Sequence, residues 1–403
     1  VISELHSGEE RVMPAASDAA PASKGEQAFA FSFLHALPVD ENVTFSPHSM
    51  SAALAMLSDA AAGETLQELE QSLHFGATDE AFHRAQAALK LALSARNRAA
   101  EANALRNVDA QILTESNDIW VRSDVTPATS YLDTLARYYG VGVHRADFES
   151  QPEQARLAIN AKVATDTHGL IPELIRRDAL DERVVTVLTN ALYFKAPWAT
   201  PFPPPGAGDF HLLDGSISHP SVLSIITPLR YYAGEGFVTV ALPYYGNQLS
   251  MLLVVPDAGA YEQVREQLSG EGFGDIVAGQ TNELVDLTLP VFKLTSALTA
   301  QETLGQLGLV RAFDKEKAEF PKLESERIKP VHLSAVLHQA TVAIDELGTE
   351  ASAATAIIAS GGGSSVAPEP PQPKVVTVDR PFLFVIRDNE TGSPLFVGQV
   401  VAP

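Results

Sequence analysis

The sequence predicts an α+β fold, with helices gathered in the first half and a largely antiparallel sheet in the second. Three observations carry this. Apolar residues recur at helical spacing through most of the first 170 positions. From Val184 onward the apolar runs turn short, β-branched and aromatic, and no segment recurs at a fixed period.

Residues 1–24, rich in small residues with Pro and Glu interspersed, read as a flexible N-terminal tail that buries too little to order itself. GEQAFAFSFLHAL (25–37) is the first helix. Ser46-Pro47 starts an Ala/Leu/Met helix, proline suiting a first turn that needs no N–H. Gly63 is expected to end it, and Thr65 with Glu68 three residues on forms a capping-box pattern for the next. Residues 79–107 read as helical, DAQILTESNDIWVRS as a strand, TSYLDTLARYYG as a helix and VGVHRADF as a short strand. PEQARLAINAKVATDTHG is a helix with a glycine stop. Strands follow in VVTVLTNALYFKAPW, GFVTVALPYYG, QLSMLLVVP and ELVDLTLPVFKL. SALTAQETLGQLGLVRAF (296–313) is one more helix, ahead of the strand-like ATVAIDE.

With 403 residues, 45% of them hydrophobic and 19% charged, the chain can build a substantial core as one large domain or two ordinary ones. A net charge of −22 argues against nucleic acid and anionic membranes as partners, since both call for clustered Lys and Arg. No apolar run is long enough to span a bilayer, and no cysteine is present to set a disulfide framework. The first residue is Val1 rather than Met, so export with removal of a leader, or trimming, is expected, and with it an extracellular or cell-envelope location.

Patterns for catalysis and metal binding come up empty, so neither enzyme activity nor a metal or cofactor is expected. There is no HExxH and no Cys/His set. GGGSS (361–365) lacks the GK[ST] of a phosphate loop and the closing glycine of a nucleophile elbow. GEGFG (270–274) reads as a turn. Asn42 and Asn389 fit glycosylation sequons, triplets that chance also supplies. His338 stands alone in SAVLHQATVAI and reads as a hydrogen-bonded core histidine.

GTEASAATAIIASGGGSSVAPEPPQP (348–373) passes from small alternating residues into a Gly/Ser tract and then a Pro tract, before the apolar VVTVDRPFLFVI. As a strand, residues 349–358 would place Thr349, Ala351, Ala353, Thr355 and Ile357 on one face. Composition alone favours a low-complexity linker, yet only the second half resists entry into a sheet. Both readings stand at this point.

The chain resembles the serpins, and the match covers nearly all of residues 25–403 in order. NVTFSPHSM (42–50), SNDIWV (116–121), INAKVATDTHGLI (159–171), LTNALYFKAPW (188–198), LPYYGNQLSMLLVVP (242–256), HQATVAIDELGTEASAATA (338–356) and the closing RPFLFVIRDNETGSPLFVGQVVAP carry it. Lys162 departs from the Trp usual in the family, Leu170 from Lys and Ala60 from Gly. The resemblance implies a single domain over 25–403, with three β-sheets, about nine helices and an exposed reactive-centre loop at about 348–375. It implies a monomeric suicide inhibitor of serine, sometimes cysteine, proteases. The protease cleaves the loop, forms a covalent 1:1 acyl-enzyme, and is trapped as the cut loop inserts into the main sheet. An insertion of about fourteen residues would add ~45 Å of strand. The alternative within the family is a non-inhibitory carrier, chaperone or protease substrate.

By pattern position the hinge is Gly348, Thr349, Glu350, Ala351, Ser352, Ala353, Ala354 and Thr355, and a shutter beneath the sheet holds Ser46, Ser49, Asn190 and His338. Family spacing counted forward from Gly348 puts the scissile bond at Gly362-Gly363, whereas counted back from Pro381 it falls at Pro370. The forward count is preferred, because inserted length sets how far the protease is carried. The window is Ala359, Ser360, Gly361, Gly362, Gly363, Ser364, Ser365 and Val366. It holds no Lys or Arg, so an elastase- or subtilisin-like target is expected rather than a trypsin-like one. The negative charge argues against a heparin-type activator. Thr349→Arg is expected to block insertion while leaving the native fold intact.

Overall fold

Helical periodicity early in the chain and β-branched runs late in it give the architecture expected. The computed structural model describes residues 2–102, 107–169, 171–349 and 372–403, and these hold nine α-helices and three main sheets, besides two short two-stranded ribbons. The helices are α1 (Ala20–His35), α2 (Pro47–Ser58), α3 (Gly63–Ser72), α4 (Glu80–Ser94), α5 (Thr129–Thr134), α6 (Pro152–Asp166), α7 (Tyr261–Gln267), α8 (Gly270–Gly279) and α9 (Gln301–Gln306). The strands of the sheets are β1 (Ser3–Leu5), β2 (Val43–Phe45), β3 (Ile112–Arg122), β4 (Val143–Ala146), β5 (Thr186–Pro197), β6 (Ser221–Gly234), β7 (Phe237–Pro243) and β8 (Leu249–Pro256). They continue with β9 (Thr281–Pro290), β10 (Phe292–Thr299), β11 (Ala335–Ile344), β12 (Gly348–Thr349), β13 (Lys374–Thr377), β14 (Phe382–Asp388) and β15 (Pro394–Val400).

The main sheet runs β1-β4-β3-β5-β12-β11-β10. The second, β7-β8-β14-β15-β2, and the third, β13-β9-β6, are continuous because β6 is long enough to serve both. It pairs with β9 from Val222 to Tyr231 and with β7 from Arg230 to Gly234. Leu192, Phe194, Val342 and Ile344 of the main sheet pack on Met251, Leu253, Phe384 and Ile386 of the second in one buried core. β8 is buried along its whole length, the reason QLSMLLVVP is apolar without alternation. A second core gathers α1 and α2 against Leu252, Val254, Leu383 and Val385 on the opposite face of the second sheet, with Ile119, Leu188 and Val336 of the main sheet. No helix among the described residues is long and apolar enough to cross a membrane.

Several elements differ from the sequence reading, each through a tertiary partner. Within the expected tail, Ser3–Leu5 pairs antiparallel with Val143–Arg145, and α1 starts at Ala20 rather than residue 25. A sheet edge offers unpaired N–H and C=O groups that an extended segment satisfies whatever its side chains. Gly63 does not end α2, which stops at Ser58. It leads into α3 with a positive φ of 56°, and Glu319 takes the Glu64 N–H (2.9 Å) in place of a local capping box. GEGFG is helical: Ser269 caps α8 through the Gly272 N–H (3.1 Å), and a Cβ at Gly270 would lie 2.7 Å from the backbone of Ala28 in α1. Ser296–Thr299 belongs to β10, paired along β11, so the helix begins only at Gln301.

Candidate functional site: a slit in the main sheet

Strands β5 and β11 are parallel neighbours, paired from Val187 with Ala335 to Leu192 with Ala340. Beyond that point they part, and β12 occupies the opening. Gly348 pairs with Pro197, and Thr349 lies between Ala196 and Ile344. The turn that delivers β12 is held by Asp345, whose carboxylate accepts the Leu347 and Gly348 N–H groups (2.8 and 3.0 Å), while burial pushes its carboxyl up. A Cβ at Gly348 would sit 2.2 Å from the Ala196 carbonyl oxygen, so only glycine fits.

Thr349 is fully buried and its hydroxyl lies 2.8 Å from that of Tyr244, itself fully buried. Tyr244 stacks on Trp198 (centroids 4.6 Å, 12°) and meets the edge of Phe194. Trp198 in turn donates its indole N–H to the Asp345 carbonyl (3.0 Å) and its backbone N–H to Leu347 (2.8 Å). The first two hinge residues are therefore already strand. This corrects the expectation that Thr349→Arg would spare the native fold, because the fully buried site against Tyr244 has no room for an arginine. Glu350, Ala351, Ser352, Ala353, Ala354 and Thr355 lie outside the described residues. So do the Gly362-Gly363 bond and its window from Ala359 to Val366.

At the closed end of the slit the four residues assigned to the shutter come together, all buried. Ser46 caps α2, its hydroxyl accepting the Ser49 N–H (3.1 Å). The Ser46 N–H points up to His338 Nε2 (3.0 Å). That nitrogen is thus the acceptor, so the ring carries its proton on Nδ1 and donates it to Asn190 Oδ1. Burial pushes His338 down to about 3, and the neutral ring is the form this arrangement demands. Asn190 Nδ2 has no hydrogen-bond partner among the described residues. Ser49 donates to Asn117 Oδ1 (2.9 Å), which pairs with Asn190 across β3 and β5.

Sequence reasoning missed Tyr244, Trp198, Asp345 and Asn117. The aromatics stand in the segments LPYYG and KAPW, but nothing local says that the two meet. Both sequon asparagines are engaged: Asn42 Oδ1 accepts the Val401 N–H (2.7 Å), and Asn389 bonds Ser250 and Asn247.

The sequence profile of the serpins (serine protease inhibitors) matches residues 24–403. Plasminogen activator inhibitor 1 of Neovison vison is 31% identical over 377 residues, covering 90% of this chain and 88% of its own. Among solved structures, that of the thermophilic serpin tengpin in its native state superposes with a TM-score of 0.82 at 27% identity, covering 99% of this chain and 98% of its own. Human thyroxine-binding globulin complexed with thyroxine gives a TM-score of 0.80 at 25% identity, covering 96% and 99%. The chain belongs to the serpin family.

Proposed function

We propose that this serpin is an inhibitor that a protease consumes once, trapped as a covalent 1:1 complex when the cleaved loop fills the slit between β5 and β11. The observation that carries the reading is the register of Thr349. It is antiparallel to both neighbours, so each step forward on an entering strand is a step back on β5 and β11. From Thr349 opposite Ala196 and Ile344, Thr355 falls opposite Asn190 on one side and His338 on the other. Those two residues are also each other's partners in the parallel pairing, so the three registers agree. The Thr355 hydroxyl would arrive beside the Asn190 amide, whose Nδ2 lacks a partner among the described residues.

The same alternation turns Ala351, Ala353 and Thr355 inward with Thr349, and small side chains there pass between packed strands with least obstruction. Residues 349–359 match β5 from Ala196 back to Thr186, where that strand begins. A scissile bond between Ala359 and Val366 therefore lets the whole slit fill before the acylated protease is reached. Small residues in the window suit the shallow pockets of elastase- or subtilisin-like proteases. The carrier reading, which the thyroxine-binding neighbour brings forward, gains nothing from a slit entrance built for a small-residue strand.

Digestion with a panel of elastase-, subtilisin- and trypsin-like proteases, followed by mass spectrometry of the released C-terminal fragment, tests the bond. Fragments starting between Ser360 and Ala367 support the reading. Cleavage confined to Lys374 or beyond removes it.

A further inference from the structure

A strand entering between β5 and β11 has to pass beneath a cover. Helix α6 and residues 171–180 pack Ile159, Val163 and Ile175 over Trp120 of β3, Val187 of β5 and Leu337 of β11, straddling the line where the sheet must part. The cover is one piece, since Asn160 Oδ1 accepts the Leu174 and Ile175 N–H groups (3.1 and 2.8 Å) and Arg156 donates to the Ile175 carbonyl (2.8 Å).

Its two margins are held differently. Towards β11 the contacts are apolar, through Ala335 and Leu337. Towards β3 ionic contacts join the apolar one to Trp120. Lys162 Nζ, half-buried, lies 3.3 Å from Asp118 Oδ1 of β3 and 2.7 Å from Asp166 Oδ2 of α6. Ser116 Oγ of β3 is within 2.9 Å of Asp118 and 2.7 Å of Asp166, and His144 Nε2 of β4 reaches Asp118 at 3.1 Å. Lys162 is thus the cation between a sheet carboxylate and a helix carboxylate. It stands at the position where Trp is usual in serpins, so a charged side chain takes the place of an aromatic one.

We propose that Lys162 is a positioning residue that fastens the cover to β3 and thereby sets how fast the slit admits a strand. The proposal rests on the reading of the slit given above. Without the cation, Asp118 and Asp166 face one another across the helix–sheet boundary, and their repulsion loosens the margin that now holds. The cover then lifts more readily, at any position of the loop.

The test follows uptake of a labelled synthetic peptide with the sequence of residues 349–360 by the full chain, which needs no protease. Lys162→Met and Asp118→Asn each should speed uptake about tenfold, the scale of one charge-assisted contact. The double variant should be no faster than either, since both remove the same link. Lys162→Arg, retaining the charge, should restore slow uptake even if its melting temperature differs, a rescue that a merely structural role does not predict. Single variants within twofold of the parent, or effects that multiply in the double variant, overturn the proposal while leaving the slit intact. A parent chain that never takes up peptide removes the slit reading and this inference with it.

Discussion

Replacing His338 by glutamine isolates one proton at the closed end of the slit. Glutamine keeps an acceptor for the Ser46 N–H and a donor for Asn190 but does not titrate. In the parent chain a second proton on the ring would set N–H against the Ser46 N–H, and burial already holds the group down to about 3 from its ordinary 6.5. The folded value lies below the unfolded one, so the unfolded chain takes up the proton first. The stabilisation is complete above pH 6.5 and is lost as pH falls towards about 3. At pH 5 the loss amounts to about 2 kcal/mol, from 2.303RT over 1.5 pH units. For a chain of this length that is about 2–3 °C in melting temperature. Melting is measured at pH 7.5 and 5.0 for both proteins at one scan rate and ionic strength, and titrations common to both cancel. The parent should fall further than His338→Gln by about 2–3 °C. Equal falls, or a larger fall in the variant, refute the neutral, twice-bonded ring.

Tyr244→Phe and Thr349→Val each strand one buried hydroxyl and should cost about 1–3 kcal/mol, with the double variant no worse than the worse single in urea unfolding. Thr349→Arg should lower the native melting temperature as well as prevent trapping, since its cost in a buried site is about 3 kcal/mol or more; an unchanged melting temperature would show that residue 349 is free of the sheet. His48 lies between Glu26 (2.8 Å) and Glu115 (3.2 Å); burial opposes its charge, but the two carboxylates prevail and push it up to about 10. Its folded value is raised, so this stabilisation is full below pH 6.5 and lost as pH rises through about 10. Melting of His48→Gln should fall well below that of the parent at pH 7.5 and approach it by pH 10.5.

The fold was legible because its main signals are local. Alternation and helical spacing mark most elements, and the pair Ser46-Pro47 announces the start of α2. His338 was readable as a core histidine for the same reason: a lone imidazole on an apolar strand needs neighbours that complete its bonds. What was not legible depends on partners distant in sequence. The Tyr244–Thr349 contact joins residues 105 apart, and Glu319 replaces a local cap on α3 from 255 residues away. Ser3–Leu5 becomes a strand only because β4 presents an edge. Lys162, a local oddity in sequence, acquires a meaning only when β3 supplies Asp118 beneath it.

The central claim is that a cleaved loop fills the slit and holds the protease, and denaturing gel electrophoresis of the chain after incubation with an elastase- or subtilisin-like protease tests it most directly. The account predicts a band at the summed mass of the protease and the N-terminal fragment, surviving denaturation and absent when the protease's catalytic serine is blocked. Complete cleavage of the chain with free, active protease and no such band across a broad panel would contradict it.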